Sequence, residues 1–300
     1  MRVSGEDREP APDLAAQTSR SRRSGADHHD GDSAVTIAWA AFLVLGAIAG
    51  VLAGLLGVGG GLVLVAALSW LAPWVGVPQE AAMHTALASS LASIVLTAAA
   101  SARAHAKRGS VLWPTVAWMV PGLLIGGWFG SMVAVRIDDD LLRYIVAGYC
   151  LIAAAQLLFG KNRPAVADHE PPPRGVPMSA AGVGIGAVSA VVGIGGGSMT
   201  VPLLVWRGIA PVRAVGTSSA CGVAIGLASA VGYALHAPPG ALPHHAIGYV
   251  YLPAAIGVAI ASVVAAPYGT RLAHRLSGVT LKRVFAAFLV IVAVSLLLGG

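Results

Sequence analysis

Gly57-Val58-Gly59-Gly60-Gly61 recurs 136 residues later as Gly193-Ile194-Gly195-Gly196-Gly197, and each run sits inside a long uncharged stretch. Glycine at that density interrupts a helix, because each one costs about 1 kcal/mol against Ala. In hydrocarbon, interrupted backbone is tolerated only where protein or a water-filled cavity covers the freed N–H and C=O groups. Matching interruptions in two halves of a membrane chain point to a transporter binding site near mid-bilayer. The bland alternative is close helix packing, which small residues also provide in membranes. A single GxxxG would favour packing; GxGGG at two equivalent positions favours a site.

The surrounding composition supports a membrane setting. Of 300 residues, 56% are hydrophobic and 11% charged, with a mean hydropathy of +0.77, against roughly 25% charged in a soluble domain. Asp, Glu, Lys and Arg are absent between 33 and 79, 81 and 102, 109 and 135, 144 and 160, 175 and 206, 214 and 270, and from 284 onward. A spanning helix needs about 20 apolar residues, so the expectation is an all-α, multi-pass integral membrane protein. The net charge of +6 is spread over short loops, as positive-inside topology requires, and nucleic acid is not an expected partner. Cys150 and Cys221 fall in apolar segments and read as small core residues. Residues 1–34 read as a disordered polar tail, without the apolar region of a signal peptide.

The repeat extends past the glycines. Thr85 aligns with Thr217, Gly109 with Gly248, Gly130 with Gly269 and Arg136 with Arg275. Two homologous halves follow, 35–160 and 178–300, joined by a Pro-rich linker, 161–177, whose bases argue for the cytoplasmic side. Each half reads as an apolar helix ending at the glycines, a short apolar segment, and three ordinary spans. The spans are 80–102, 111–135 and 141–160 in half one, and 211–235, 247–270 and 280–298 in half two. Ser198–Val205 covers about 12 Å as helix and cannot cross about 30 Å of hydrocarbon alone. Either helix and short segment form one interrupted crossing, or the chain turns back as a re-entrant hairpin. Loop charge favours hairpins: bases cluster at Arg103, Lys107 and Arg108 in half one, whereas the equivalent loop His236–Ala246 has no Lys or Arg. That swap implies inverted repeats, although Arg20, Arg22 and Arg23 before the first helix run against it.

Half-helices that begin within the membrane present unpaired N–H groups and a partial positive charge. The glycine runs would let an anion approach that backbone closely. The expected site comprises Gly57, Gly59, Gly60, Gly61 and Thr85 from half one, with Gly193, Gly195, Gly196, Gly197, Ser198, Thr200, Thr217 and Ser218 from half two. No acid or base is expected well inside a span; His84 could carry a proton, but local packing is the simpler role. His244-His245 makes a poor metal site, no hydrolase motif is present, and neither a cofactor nor an enzyme activity is expected. Gly57-x-Gly59 lacks the third glycine and the soluble βαβ setting of a dinucleotide loop.

The pair Gly54-Leu-Leu-Gly-Val-Gly-Gly-Gly-Leu-Val-Leu-Val65 and Ala190-Val-Val-Gly-Ile-Gly-Gly-Gly-Ser-Met-Thr-Val-Pro-Leu-Leu204 resembles the sulfite exporter TauE/SafE family of bacterial permeases. Thr217-Ser218 and Gly248 add to the likeness, which covers about Val35 to Leu298. Ala66, where the family often has the proline found at Pro202, and the segment His84–Leu87 depart from the pattern. The resemblance implies a bacterial plasma-membrane permease for small sulfur-containing anions such as sulfite or sulfonates, often moved outward. The partners are then the anion, the lipid bilayer and a coupling ion, H⁺ or Na⁺. A cation carrier or channel, and a non-transporting membrane scaffold, remain as other readings of the residues alone.

Overall fold

Long apolar runs become helices here, and the glycine runs set where they stop. The computed structural model describes residues 39–51, 60–159, 172–239, 242, 245–273 and 278–298. The expected tail, most of the expected linker, and Gly57 and Gly59 therefore lie outside the described residues. The chain divides into two units at Ala40, and every contact described below lies within Ala41–Gly300.

The helices are α1 (Trp39–Val51), α2 (Gly61–Leu71), α3 (Ala82–Lys107), α4 (Trp113–Ala134), α5 (Asp139–Phe159), α6 (Val176–Val192), α7 (Gly197–Trp206), α8 (Pro211–His236), α9 (Leu252–Ala273) and α10 (Gly278–Leu298). Among the described residues, α4, α5, α8 and the segment Gln79–Lys107 containing α3 are long and apolar enough to cross a membrane. The helix α6 spans the expected Val176–Val192, so it begins inside the stretch assigned to the linker. One expectation fails locally. The span expected from Ile247 starts at Leu252, because β1 (Ala246–Ile247) and β2 (Val250–Tyr251) pair as a short antiparallel hairpin. Gly248, at φ 58°, makes that turn, and its backbone presses on the Ala234 carbonyl where a side chain would not fit.

The halves repeat each other's backbone turns. Gly60 and Gly196 are left-handed N-caps at φ 59° and 74°; Gly76 and Gly208 both sit at φ 83°, and Gly109 and Gly248 at 68° and 58°. Val77 N–H donates to Ala72 O at 3.0 Å, as Ile209 N–H does to Leu204 O at 3.0 Å. The long helices α3 and α8 correspond to each other in the repeat and pack together. Leu91 meets Gly226, Ala98 meets Gly222, and His105 meets Gly216. One sequence rises as the other falls, so the equivalent helices run antiparallel.

Glycine ladders join the remaining helices. Gly122, Gly126 and Gly130 of α4 rest on Ser179, Val183 and Ala187 of α6, in parallel register. The helix pair α1 and α9 repeats the pattern, with Gly46 on Val258 and Gly50 on Ser262. The start of α6 lies at the start of α4, where Thr115 Oγ1 donates to Pro173 O at 2.9 Å. The end of α7 returns to that same place, because Leu204 and Ile209 pack with Leu112 and Ala214. Helices α6 and α7 therefore begin and end at one end of the bundle.

Candidate functional site

The two glycine turns meet. A Cβ built on Gly61 would lie 2.7 Å from Gly193 O and 3.2 Å from Ile194 Cα. Nothing larger than hydrogen fits at Gly61 without moving backbone. The residues from Gly193 to Gly197 are all buried, as is Gly61. Ser90 on α3 links the two turns: its hydroxyl lies 3.0 Å from Gly193 O and 3.3 Å from Gly61 O. Ile94, one turn on, packs against Gly61 and Gly195, and Gly222 of α8 closes the other side against Gly195 O at 3.0 Å from a built Cβ.

Each short helix starts from a left-handed glycine without a side-chain cap. Val63 and Leu64 N–H donate back to Gly60 O, and Met199 and Thr200 N–H to Gly196 O. The first amides of α2 and α7 have no acceptor within their own helix, and they carry the positive end of the helix dipole. Around Gly196 lie two hydroxyls, Ser189 Oγ and Thr200 Oγ1, both buried without a hydrogen-bond partner among the described residues. Ser189 Oγ is 3.5 Å from a Cβ built at Gly196. Buried hydroxyls normally find partners, so this is a place with spare hydrogen-bonding capacity.

The other expected residues part company here. Thr85 Oγ1 is buried and has no hydrogen-bond partner among the described residues. Ser198 Oγ is hydrogen-bonded to Tyr149 OH of α5. Thr217 Oγ1 donates to Arg213 O at 2.7 Å and accepts Leu112 N–H at 3.0 Å. Leu112 packs at the far end of α7, roughly 15 Å of helix from Gly196, so Thr217 holds the α3–α4 connection and is not brought to the glycine turns. Ser218 is buried beside it. Half one has a parallel tether one turn displaced: Tyr251 N–H donates to Ser89 Oγ at 3.0 Å.

Two residues of consequence escaped sequence reading. Ser189 precedes Gly193 by one turn, so helical spacing from the glycine run would have found it. Asp139 stands in the run Asp138-Asp139-Asp140 ahead of and into α5. It is 8% exposed, and both its oxygens accept Met83 N–H at 3.0 Å while Oδ1 also accepts His84 N–H at 3.2 Å. That satisfies the first turn of α3 from the start of α5. Asp139 Oδ1 also lies 2.9 Å from His84 Nδ1. Asp139 lies ahead of the expected span 141–160, at the first position of α5, so the expectation about acids inside spans does not bear on it: the start of α3 needs an anion, and α5 delivers it. The His84 ring stacks on Tyr249 at 4.8 Å between centroids. Burial and the nearby Asp139 charge push the Tyr249 phenol above its ordinary range, so it stays protonated.

Comparison with known proteins gives a consistent answer. Residues 42–296 match the family described as sulfite exporter TauE/SafE. A probable membrane transporter protein of Haemophilus influenzae is 35% identical over 257 residues, covering 85% of this chain and 97% of the relative. One from Xylella fastidiosa is 28% identical over 83% and 91% of the two chains, and one from Methanocaldococcus jannaschii is 24% identical over 85% and 94%. No solved structure matches the chain.

Proposed function

Because this chain belongs to the sulfite exporter TauE/SafE family, we propose that it is a bacterial plasma-membrane permease whose cargo is a small sulfur-containing oxyanion or organosulfonate. That it is a multi-pass membrane transporter follows from the family and from the apolar helices. The cargo and its site rest on one observation: the uncapped helix starts at Gly60 and Gly196 belong to two glycine turns that meet at Gly61 and Gly193, where Ser90 bridges them. Amides, helix dipoles and the unpartnered hydroxyls of Ser189 and Thr200 make that place suited to negative oxygens. No lysine or arginine is among these residues, so an anion would be held by neutral donors and released readily.

The hairpin reading gains support from α6 and α7 starting and ending at one end of the bundle. Inversion gains support from the antiparallel run of α3 and α8. In that arrangement the α3–α4 loop faces the cytoplasm and the α4–α5 and α8–α9 loops face outward, and alternating access is rocking of one half against the other.

Proteoliposomes loaded with labelled sulfite, sulfoacetate or sulfate test the reading. Gly196→Ala strains a left-handed backbone position by about 1–3 kcal/mol and sets a Cβ against Ile225 Cδ1 and 3.5 Å from Ser189 Oγ; Gly60→Ala strains the equivalent left-handed position in half one. Both variants should insert normally and lose about tenfold or more in anion flux. Wild-type flux in both would overturn the site. The close glycine contact also suits a scaffold, which predicts no flux of any of the three anions in the unaltered protein.

A further inference from the structure

His84 and Asp139 have an arrangement that packing alone does not require. His84 is 4% exposed and Asp139 8%. Both nitrogens of the buried ring face oxygen. Nδ1 lies 2.9 Å from Asp139 Oδ1 and Nε2 lies 3.2 Å from the Ala134 carbonyl. A carbonyl can only accept, so Nε2 carries a hydrogen. One further proton then sits on the line between Nδ1 and Oδ1, and with it the pair is neutral as a whole. Without it, a bare ring lone pair faces a buried carboxylate, two acceptors at hydrogen-bond distance, and the contact must open.

The surroundings leave this pair alone with its proton. From α8 the facing titratable group is Tyr233, whose hydroxyl is used on Ala190 O at 3.1 Å; from the β1–β2 turn it is Tyr249, stacked on the ring. Glu80, Arg136, Asp138 and Asp140 on the adjoining segments are exposed, and Asp140 lies 3.7 Å from Arg143. The equivalent positions in half two, Gly216 and Gly278, cannot hold a proton, so the device exists once per chain and at one end.

What the proton joins matters most. Nδ1 and Nε2 tie the start of α3 to the start of α5 and the end of α4. Six residues along the same helix, about 9 Å, Ser90 reaches both glycine turns. A rigid helix thus connects the proton to the cradle. We infer that the His84–Asp139 pair is a proton-binding site that couples cargo movement to proton movement. Bound, the proton locks the α4–α5 end against α3; released to water at that end, it frees α3 to move and Ser90 with it. This inference rests on the permease reading for its coupling half, and on geometry alone for its proton.

Two flux modes in proteoliposomes of the full chain separate the possibilities. Labelled sulfite is moved either by an imposed pH gradient or by exchange against unlabelled sulfite with no gradient. Asp139→Asn keeps an acceptor for the Met83 amide, and His84→Gln keeps a donor for Ala134. Both should lose about tenfold or more of gradient-driven flux while exchange continues, which also shows that they fold. Gradient-driven flux at the unaltered level in both variants overturns the inference. Should the unaltered protein exchange no anion, the permease reading fails, and the proton site is read by ¹⁵N resonances of labelled histidine. The His84 ring should then carry hydrogen at both nitrogens, with the Nδ1 signal moving on Asp139→Asn; a bare Nδ1, or a signal that Asp139→Asn leaves unchanged, overturns the site itself.

Discussion

At the scale of single residues, Ser90 does the most with the least. Its one hydroxyl stands between two carbonyls from different halves of the chain. Ser90→Ala leaves both without it, at a cost of about 1–3 kcal/mol for a buried polar group left unpaired. The expected outcome is a lowered midpoint of thermal unfolding in detergent, together with reduced sulfite flux per folded molecule; an unchanged midpoint would mean that the link is not formed. The glycines around it were readable from sequence because the absence of a side chain is itself the signal. Hydroxyls were less readable. Serine and threonine satisfy their own helix as readily as a ligand, and only geometry separates Thr217, engaged with Arg213 O and Leu112 N–H, from Thr200, without a partner among the described residues. Asp139 was hidden for another reason: three consecutive acids look like solvated loop, and nothing local says which one turns inward.

At the scale of elements, glycine means different things on different faces of one helix. Gly182 and Gly186 on α6 meet α4 backbone, with a built Cβ 2.7 Å from Met119 O and 2.6 Å from Leu123 O. Gly184, between them, meets nothing within 4 Å. Gly186→Ala should therefore destabilise by about 1–3 kcal/mol through overpacking. Gly184→Ala should stabilise by about 0.5–1 kcal/mol, because Ala holds a helix better. Thermal unfolding of the pair, side by side, checks the sign of each. Helix positions themselves were legible, since runs free of charge and bounded by charge or glycine leave few places for an apolar helix to end. The exception, the β1–β2 turn ahead of α9, has alternating apolar and small residues too few to register as strand.

At the scale of the whole molecule, the charge swap between loops and the antiparallel α3 and α8 describe the same arrangement from independent directions. Single cysteines in a background lacking Cys150 and Cys221, both buried, test it in intact cells. Pro239→Cys and Asp140→Cys should react with an impermeant maleimide from outside, and Arg108→Cys only after lysis. Arg108 and Pro239 labelled from one side would rule out inversion. The direct abutment of Gly61 on Gly193 carries a last implication. On the proposed reading the two turns, with no gap between them, would make one receptor and not a pair. The stoichiometry expected is then a single ion per polypeptide, and neither half expressed by itself should retain a partial affinity: severed, the receptor would vanish until both fragments find each other again.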